Sequence, residues 1–448
     1  MSVIRSFLLV LAPCVTLILG AIGKSESVLA ETLASWVELV GPGREASVRS
    51  IVSADANCPT LDADGQPLPM KVRAEPGPLF SDAPRTPPAS FPVRVCEVMI
   101  SQGVSRVLLE NEPLPLPRAD VSRIVVFGDT GCRIKEAKVQ DCKRDWPYAS
   151  LVSFAAEARP DLVIHVGDYL YRESCDTKAT DCPDTPIGYG WKVWNNDFFK
   201  PSAPLLATAP WIMVRGNHET CTRAGEGWFR FLDHAAPENE CAEISKSFVI
   251  ALGGLGFVVM DSGKIANENG SDDDDDDDDD DDSADASRTE ELTPIVKRRY
   301  AEIAHSVPSP GWLLTHAPFN AVRLKHHETE VANTLQQQAI GDLLPSDIKM
   351  IVSGHVHIFE ALSFADADPP RPPQLVVGTG GVKLAKEPDV PKKINGARVT
   401  DALFLREFGF IIWDRDGANW KGRLFDRHNK QIARCELAGT QLTCETRK

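Results

Sequence analysis

Residues 353–360, Ser-Gly-His-Val-His-Ile-Phe-Glu, decide how this chain is read. They follow an apolar run, Ile348 to Val352, and set His355 and His357 at i, i+2 just beyond a strand. Two imidazoles at that spacing can serve separate metal ions only where the backbone turns and holds both near one point. Gly354 is expected to supply the freedom for that turn. A His-x-His pair alone is more often a surface turn, but four other stretches share its grammar. FGDTGCR, HVGDYLYRE, RGNHET and LLTHAP each end an apolar strand-like run with Asp, Asn or His. Strands that are apolar throughout, such as IVVF, LVIHV and WIMV, belong in an α/β sheet covered on both faces. Ligands in such folds gather at the strands' carboxyl ends, where these motifs lie. Helices are expected between them over Pro147 to Arg159 and Arg288 to Ala304, the second opened by Ser287 with Glu290 at capping-box spacing.

The stretches offer Asp129, Asp168, Asn217, His316, His355 and His357, an oxygen and nitrogen donor set without thiolate that suits Fe, Mn or Zn. Two cations roughly 3.5 to 4 Å apart need a carboxylate whose oxygens face different ions, and such pairs polarise phosphoryl oxygens and ionise water.

GDTG, GDYLY, GNHE, LLTH and GHVH, in that order over Ile124 to Gly381, resemble the calcineurin-like metallophosphoesterases, and more narrowly their purple acid phosphatase branch. The resemblance implies a two-sheet αββα sandwich preceded by a small fibronectin-like β-sandwich. Its implied activity is that of an acid phosphatase, cleaving phosphomonoesters by direct attack of a metal-bound hydroxide. Carried over by position, Asp129, Asp168, Tyr171 and His357 would hold the first ion, and Asp168, Asn217, His316 and His355 the second, with Asp168 bridging. The wider family usually places a His two residues after the first Asp, where this chain has Gly131. A Tyr171 phenolate would take its place, which favours Fe(III) there, with Fe(II), Zn or Mn at the second site. Tyr169 is the competing phenol. His218 resembles the family histidine that contacts phosphate and the attacking oxygen. His326, beside His327 in RLKHHETE, is either a leaving-group acid or part of a solvated loop pair. His165, His234, His305 and His428 read as structural. A phosphodiesterase or nucleotidase on the same metals, or a non-catalytic phosphate or metal binder, are the competing readings.

With 448 residues the chain has room for several domains. The apolar run from Phe7 to Ile22 after Arg5 is short for a membrane span and reads as a secretory leader over 1–30, the alternative being an uncleaved anchor helix. Residues 31–118 carry alternating strand patterns and end at the proline-rich PLPLPRADVS, which suggests a β-sandwich domain before a catalytic domain over 119–448. Of 11 cysteines Cys14 falls in the leader. The remaining even number and the absence of CxxC spacing point to disulfides in an exported protein, periplasmic or secreted. Proximity pairs Cys132 with Cys142, Cys175 with Cys182, Cys221 with Cys241 and Cys435 with Cys444, leaving Cys58 for Cys96, although other connectivities are open. No stable membrane span is expected after leader removal.

The net charge is −16, of which the eleven aspartates at 272–282 supply −11. They fall in an acidic stretch, 267–287, that reads as a disordered loop and a candidate cation-binding run. No Lys/Arg cluster suggests binding to a nucleic-acid duplex. The expected partner is a small phosphate ester.

Overall fold

The computed structural model describes residues 32–80, 89–266, 283–365 and 370–447. The leader and the polyaspartate run lie outside them. Among the described residues no helix is long and apolar enough to cross a membrane.

Strand Arg123–Phe127 shows how the layers arise. Ile124 and Val126 point to one side, Val125 and Phe127 to the other, and all four are fully buried. The first pair joins a core shared with Phe257, Trp312, Leu314, Met350 and Val352, whose strands form a second sheet. The second pair packs against helices Tyr148–Glu157 and Gly225–Phe231. On the far side, Val258, Leu313 and Ile351 of the second sheet pack against Leu292, Val296 and Tyr300 of helix Ser283–Ile303. Period-two strands that are apolar on both faces thus produce four layers, helix, sheet, sheet, helix. At the centre of the first sheet Arg123–Phe127, Leu162–His165 and Trp211–Met213 run parallel. In the second, Leu255–Val259, Gly311–Leu314, Ile348–Ser353 and Gln374–Val377 do the same. The carboxyl ends of both parallel sets therefore face one end of the sandwich.

Both sheets are extended by antiparallel strands. The N-terminal β-rich region is present where the sequence places it, but one hydrogen-bonded sheet crosses the expected boundary at residue 118. Strand Thr32–Leu39 pairs parallel with Trp211–Met213 at Glu38 and Trp211, then antiparallel with Ala46–Ser53, which pairs in turn with Val93–Ile100. Val37, Leu39 and Val48 enter the same core as Ile124. Only the small sheet containing Thr60–Ala63, Gln66–Pro69, Val107–Leu109 and Glu112–Pro113 stands apart. At the opposite edge four antiparallel strands, Gly409–Asp416 through Gln441–Thr446, complete eleven.

Two buried arginines fasten the N-terminal strands to the segment that follows the GNHE motif. Arg49 donates to the Phe231 and Asp233 carbonyls, and Arg73 to those of Phe229, Arg230, Asp233 and Ala235, so the end of helix Gly225–Phe231 is capped by guanidinium groups. Positive charge there also meets the negative end of the helix dipole. Glu97 accepts from both arginines, and Glu38 from Arg49.

Helix Ser283–Ile303 begins before Ser287, which therefore lies inside it and not at its cap. Ser-Ala-Asp-Ala-Ser contains no helix breaker, so the helix propagates through it. All five disulfides form with the partners that proximity suggested, Cys58–Cys96, Cys132–Cys142, Cys175–Cys182, Cys221–Cys241 and Cys435–Cys444.

Candidate metal centre

Each expected ligand leaves the carboxyl end of a strand. Asp129 follows Arg123–Phe127, Asp168 and Tyr171 follow Leu162–His165, and Asn217 follows Trp211–Met213, all in the first sheet. His316 follows Gly311–Leu314, and His355 and His357 follow Ile348–Ser353, in the second. The structure brings the seven side chains together where the sheets' ends meet. Tyr171 Oη lies 3.2 Å from Asp129 Oδ1, 2.8 Å from Asp168 Oδ2 and 3.0 Å from His357 Nε2. Asn217 Oδ1 accepts from His316 Nε2 at 2.8 Å and stands 3.2 Å from His355 Nδ1, while His316 Nε2 is 3.2 Å from Asp168 Oδ2. Asp168 thus touches both groups.

The backbone is bent to achieve this. Asp129, Asp168 and His355 adopt φ of +58°, +61° and +71°, a left-handed conformation that costs non-glycine residues energy and clusters at functional sites. The freedom expected of Gly354 belongs instead to His355. Gly354 is small for another reason, since a Cβ there would run into Asp129 Oδ2. At Gly131 a Cβ would sit 2.7 Å from the Tyr171 nitrogen and 3.0 Å from its ring, so Tyr171 occupies the space a side chain at 131 would need. The competing phenol is directed elsewhere, because Tyr169 Oη donates to the Val214 carbonyl at 3.1 Å within an aromatic core.

The electrostatics suit a cation. Ligand atoms of Asp129, Asp168 and His357, all buried, lie within 4.8 Å of one another. Burial pushes Asp129 up to about 7, against the pull of His316 and His357. Burial also opposes the charge on Asp168, yet His316 and His218 hold that carboxyl well below its usual range. His316, depressed by burial but raised more by Asp168, reaches about 10. A phenol oxygen set among two carboxylates and an imidazole can give its single proton to only one of them. This donor set fits a metal ion, which would accept every one of these lone pairs.

His218 lies beside this cluster. Its ring packs 3.8 Å from that of Tyr171, its Nδ1 faces Glu173 Oε1 at 2.7 Å, and its Nε2 is 3.9 Å from Asp168 Oδ2. Arg223 pairs with the same Glu173. His326 is placed elsewhere. With His327 it forms the exposed two-residue tip of hairpin Val322–Lys325/Glu328–Val331, both residues at positive φ. Among the described residues no hydrogen bond, ion pair or ring contact joins His326 to the seven. His165 is structural, its Nδ1 accepting from the Gly167 N–H and its Nε2 facing Thr130 Oγ1 at 2.9 Å, and burial holds it well below the usual imidazole range.

Three carboxylates that received no role from the sequence shape the centre. Glu219 accepts from the backbone nitrogens of Asp168, Tyr169, Leu170 and Gly216, gripping two ligand loops, and burial together with Asp168 raises it to about 8. The acid of GNHE was its signal. Asp197, carried on a π turn at Asn195–Phe199, accepts from the Tyr171 N–H and pairs with Arg172. Neither Asp197 nor Glu173 sits in a pattern that sequence could single out.

No curated protein matches the chain in sequence. Among solved structures it is similar to the purple acid phosphatase PPD1 from seeds of yellow lupin, Lupinus luteus, with 14% identity over 92% of this chain and 74% of that one and a TM-score of 0.58. It is similar as well to PhoD, with 12% identity over 93% and 92% of the two chains and a TM-score of 0.52. These likenesses concern the fold. The model of the calcineurin-like phosphoesterases matches residues 122–359, more than half the chain and all seven clustered side chains, so the chain belongs to the calcineurin-like phosphoesterase family.

Proposed function

We propose that the protein is an exported dinuclear-metal phosphoric ester hydrolase of the purple acid phosphatase type, acting on phosphomonoesters. The observation that carries this reading is Tyr171 Oη, which reaches Asp129, Asp168 and His357 at once. Asp129, Asp168, Tyr171 and His357 would hold one ion, Fe(III) on account of the phenolate. Asp168, Asn217, His316 and His355 would hold Fe(II), Zn or Mn. The ions supply Lewis acidity to a phosphoryl oxygen and to the water that attacks phosphorus.

The remaining work falls to the chain. Glu173 fixes the His218 ring through Nδ1, which turns Nε2 toward the cluster. A proton held at Nε2 can be donated to a phosphoryl oxygen as negative charge builds on it. Glu219 and Asp197 keep the loops bearing Asp168 and Tyr171 from shifting as substrate arrives. Five disulfides support an oxidising destination, and the phosphate-ester substrate follows from the family.

Metal analysis with a visible spectrum tests the assignment. A tyrosinate-to-iron band is expected, and it should vanish in Tyr171→Phe. A colourless, active manganese or zinc enzyme would keep the reaction class and overturn the ferric assignment. Relative turnover of mono- and bis-nitrophenyl phosphate separates a monoesterase from a diesterase or nucleotidase.

A further inference from the structure

The stretch Asp261-Ser262-Gly263, at the carboxyl end of strand Leu255–Val259, has no place among the five motifs, yet it touches two of them. Each of its residues makes a different contact. Asp261 Oδ2 accepts from Arg215 Nη1 at 3.1 Å, and Arg215 comes two residues before Asn217. The same guanidinium donates through Nε to the Glu219 carbonyl at 2.8 Å, so it spans the GNHE turn. Gly263 lies so close to that turn that a Cβ on it would collide with the Gly216 carbonyl oxygen. Ser262 faces the other way. Its Oγ accepts from Thr315 Oγ1 at 2.7 Å and from the Ala317 N–H at 2.8 Å, the residues on either side of His316. Gln336 completes the brace, its Nε2 donating to the Ala317 carbonyl at 2.6 Å. Asp261, Ser262, Arg215 and Thr315 are all buried, so none of these bonds is exchanged for water.

We propose that the Asp261-Ser262-Gly263 turn is a positioning element for one half of the centre: it locks the loop carrying Asn217, on the first sheet, against the loop carrying His316, on the second. Asn217 Oδ1 and His316 Nε2 stand 2.8 Å apart, and the turn is wedged between the backbones that carry them. Asp129, Tyr171 and His357 have no bond to it. Loosening the turn therefore weakens the ion held by Asn217, His316 and His355 and spares the ion held at Tyr171. Removing a group that orients ligands from behind typically costs about 10- to 100-fold in metal affinity, and here that loss falls on one ion of two.

This inference rests on the dinuclear reading, and the experiment separates the two. Metal content per chain and titration of the reloaded apoprotein are measured on the full chain, on Ser262→Ala and on Thr315→Val, which keeps the side chain's shape and removes its hydroxyl. Two ions in the wild type are expected. In both variants the weaker ion should bind at least tenfold less tightly, while the tyrosinate band and the first ion stay unchanged. A wild type that binds no ion pair would sink the dinuclear reading itself. A wild type with two ions, and either variant folded and holding both at native affinity, would overturn the role of the turn. Equal loss of both ions would overturn it too, since that marks general loosening of the fold. Should Ser262→Ala fail to fold, Thr315→Val decides alone, and should both fail, Gln336→Leu tests the same brace one bond further out.

Discussion

At residue 171 a phenol fills the space that Gly131 leaves open, and the two positions are coupled by the close approach of their backbones. The same economy recurs at Glu219, whose two oxygens serve four backbone N–H groups. Glu219→Ala leaves those donors buried without an acceptor. It is expected to destabilise the fold by about 3 kcal/mol or more, read from denaturant midpoints, and to lower metal content with it. His326 makes a different test. The left-handed φ of both residues at its hairpin tip is the conformation that Asn-Gly adopts most readily. Replacing His326 and His327 with Asn and Gly should leave kcat within about twofold, as a turn role requires, whereas a general acid would contribute about 100-fold or more. The seven clustered residues were legible because each ends an apolar run. Glu219 was in view but without a task, and Glu173 and Asp197 were invisible, because their partners are defined only after distant segments fold together.

Among the elements, helix Gly225–Phe231 illustrates a debt to segments far away in sequence. Its last carbonyls are satisfied by Arg49 and Arg73, whose charges are balanced in part by Glu97. Burial opposes ionisation of Glu97, but the two arginines lower it from 4.5 to about 2. A depressed carboxyl stabilises the fold above its unfolded value and loses that contribution as pH falls from about 4.5 through about 2. Glu97→Gln should therefore cost up to roughly 3 kcal/mol at pH 7, with the gap from wild type closing as the solution is acidified through that window. Urea midpoints at a series of pH values check it, and a gap independent of pH would refute the charge account. Strand positions were readable from alternation, but pairing was not. Nothing in the pattern of Thr32–Leu39 distinguishes a strand of a separate sandwich from one that docks on Trp211–Met213, since both bury one face and turn the other outward.

For the whole molecule, that docking removes the independence the proline-rich segment suggested. A chain beginning at residue 119 would expose the edge of Trp211–Met213, lose Val37, Leu39 and Val48 from the shared core, and leave the carbonyls capped by Arg49 and Arg73 without donors. It is expected to be aggregated or without fixed packing, as seen by size-exclusion chromatography and near-ultraviolet circular dichroism. A soluble product with a cooperative melt would show instead that the boundary is real. The two-layer plan itself was legible, because strands apolar on both faces need covers on both faces, and the disulfides followed from sequence proximity. The division of donors between the layers has its own consequence. Four side chains come from one slab and three from the other, so anything they jointly grip acts as a rivet through the seam. Slippage of the slabs by a single residue's rise, about 3.3 Å, would tear that grip apart. Catalytic competence and the alignment of the two halves are in that sense a single mechanical property.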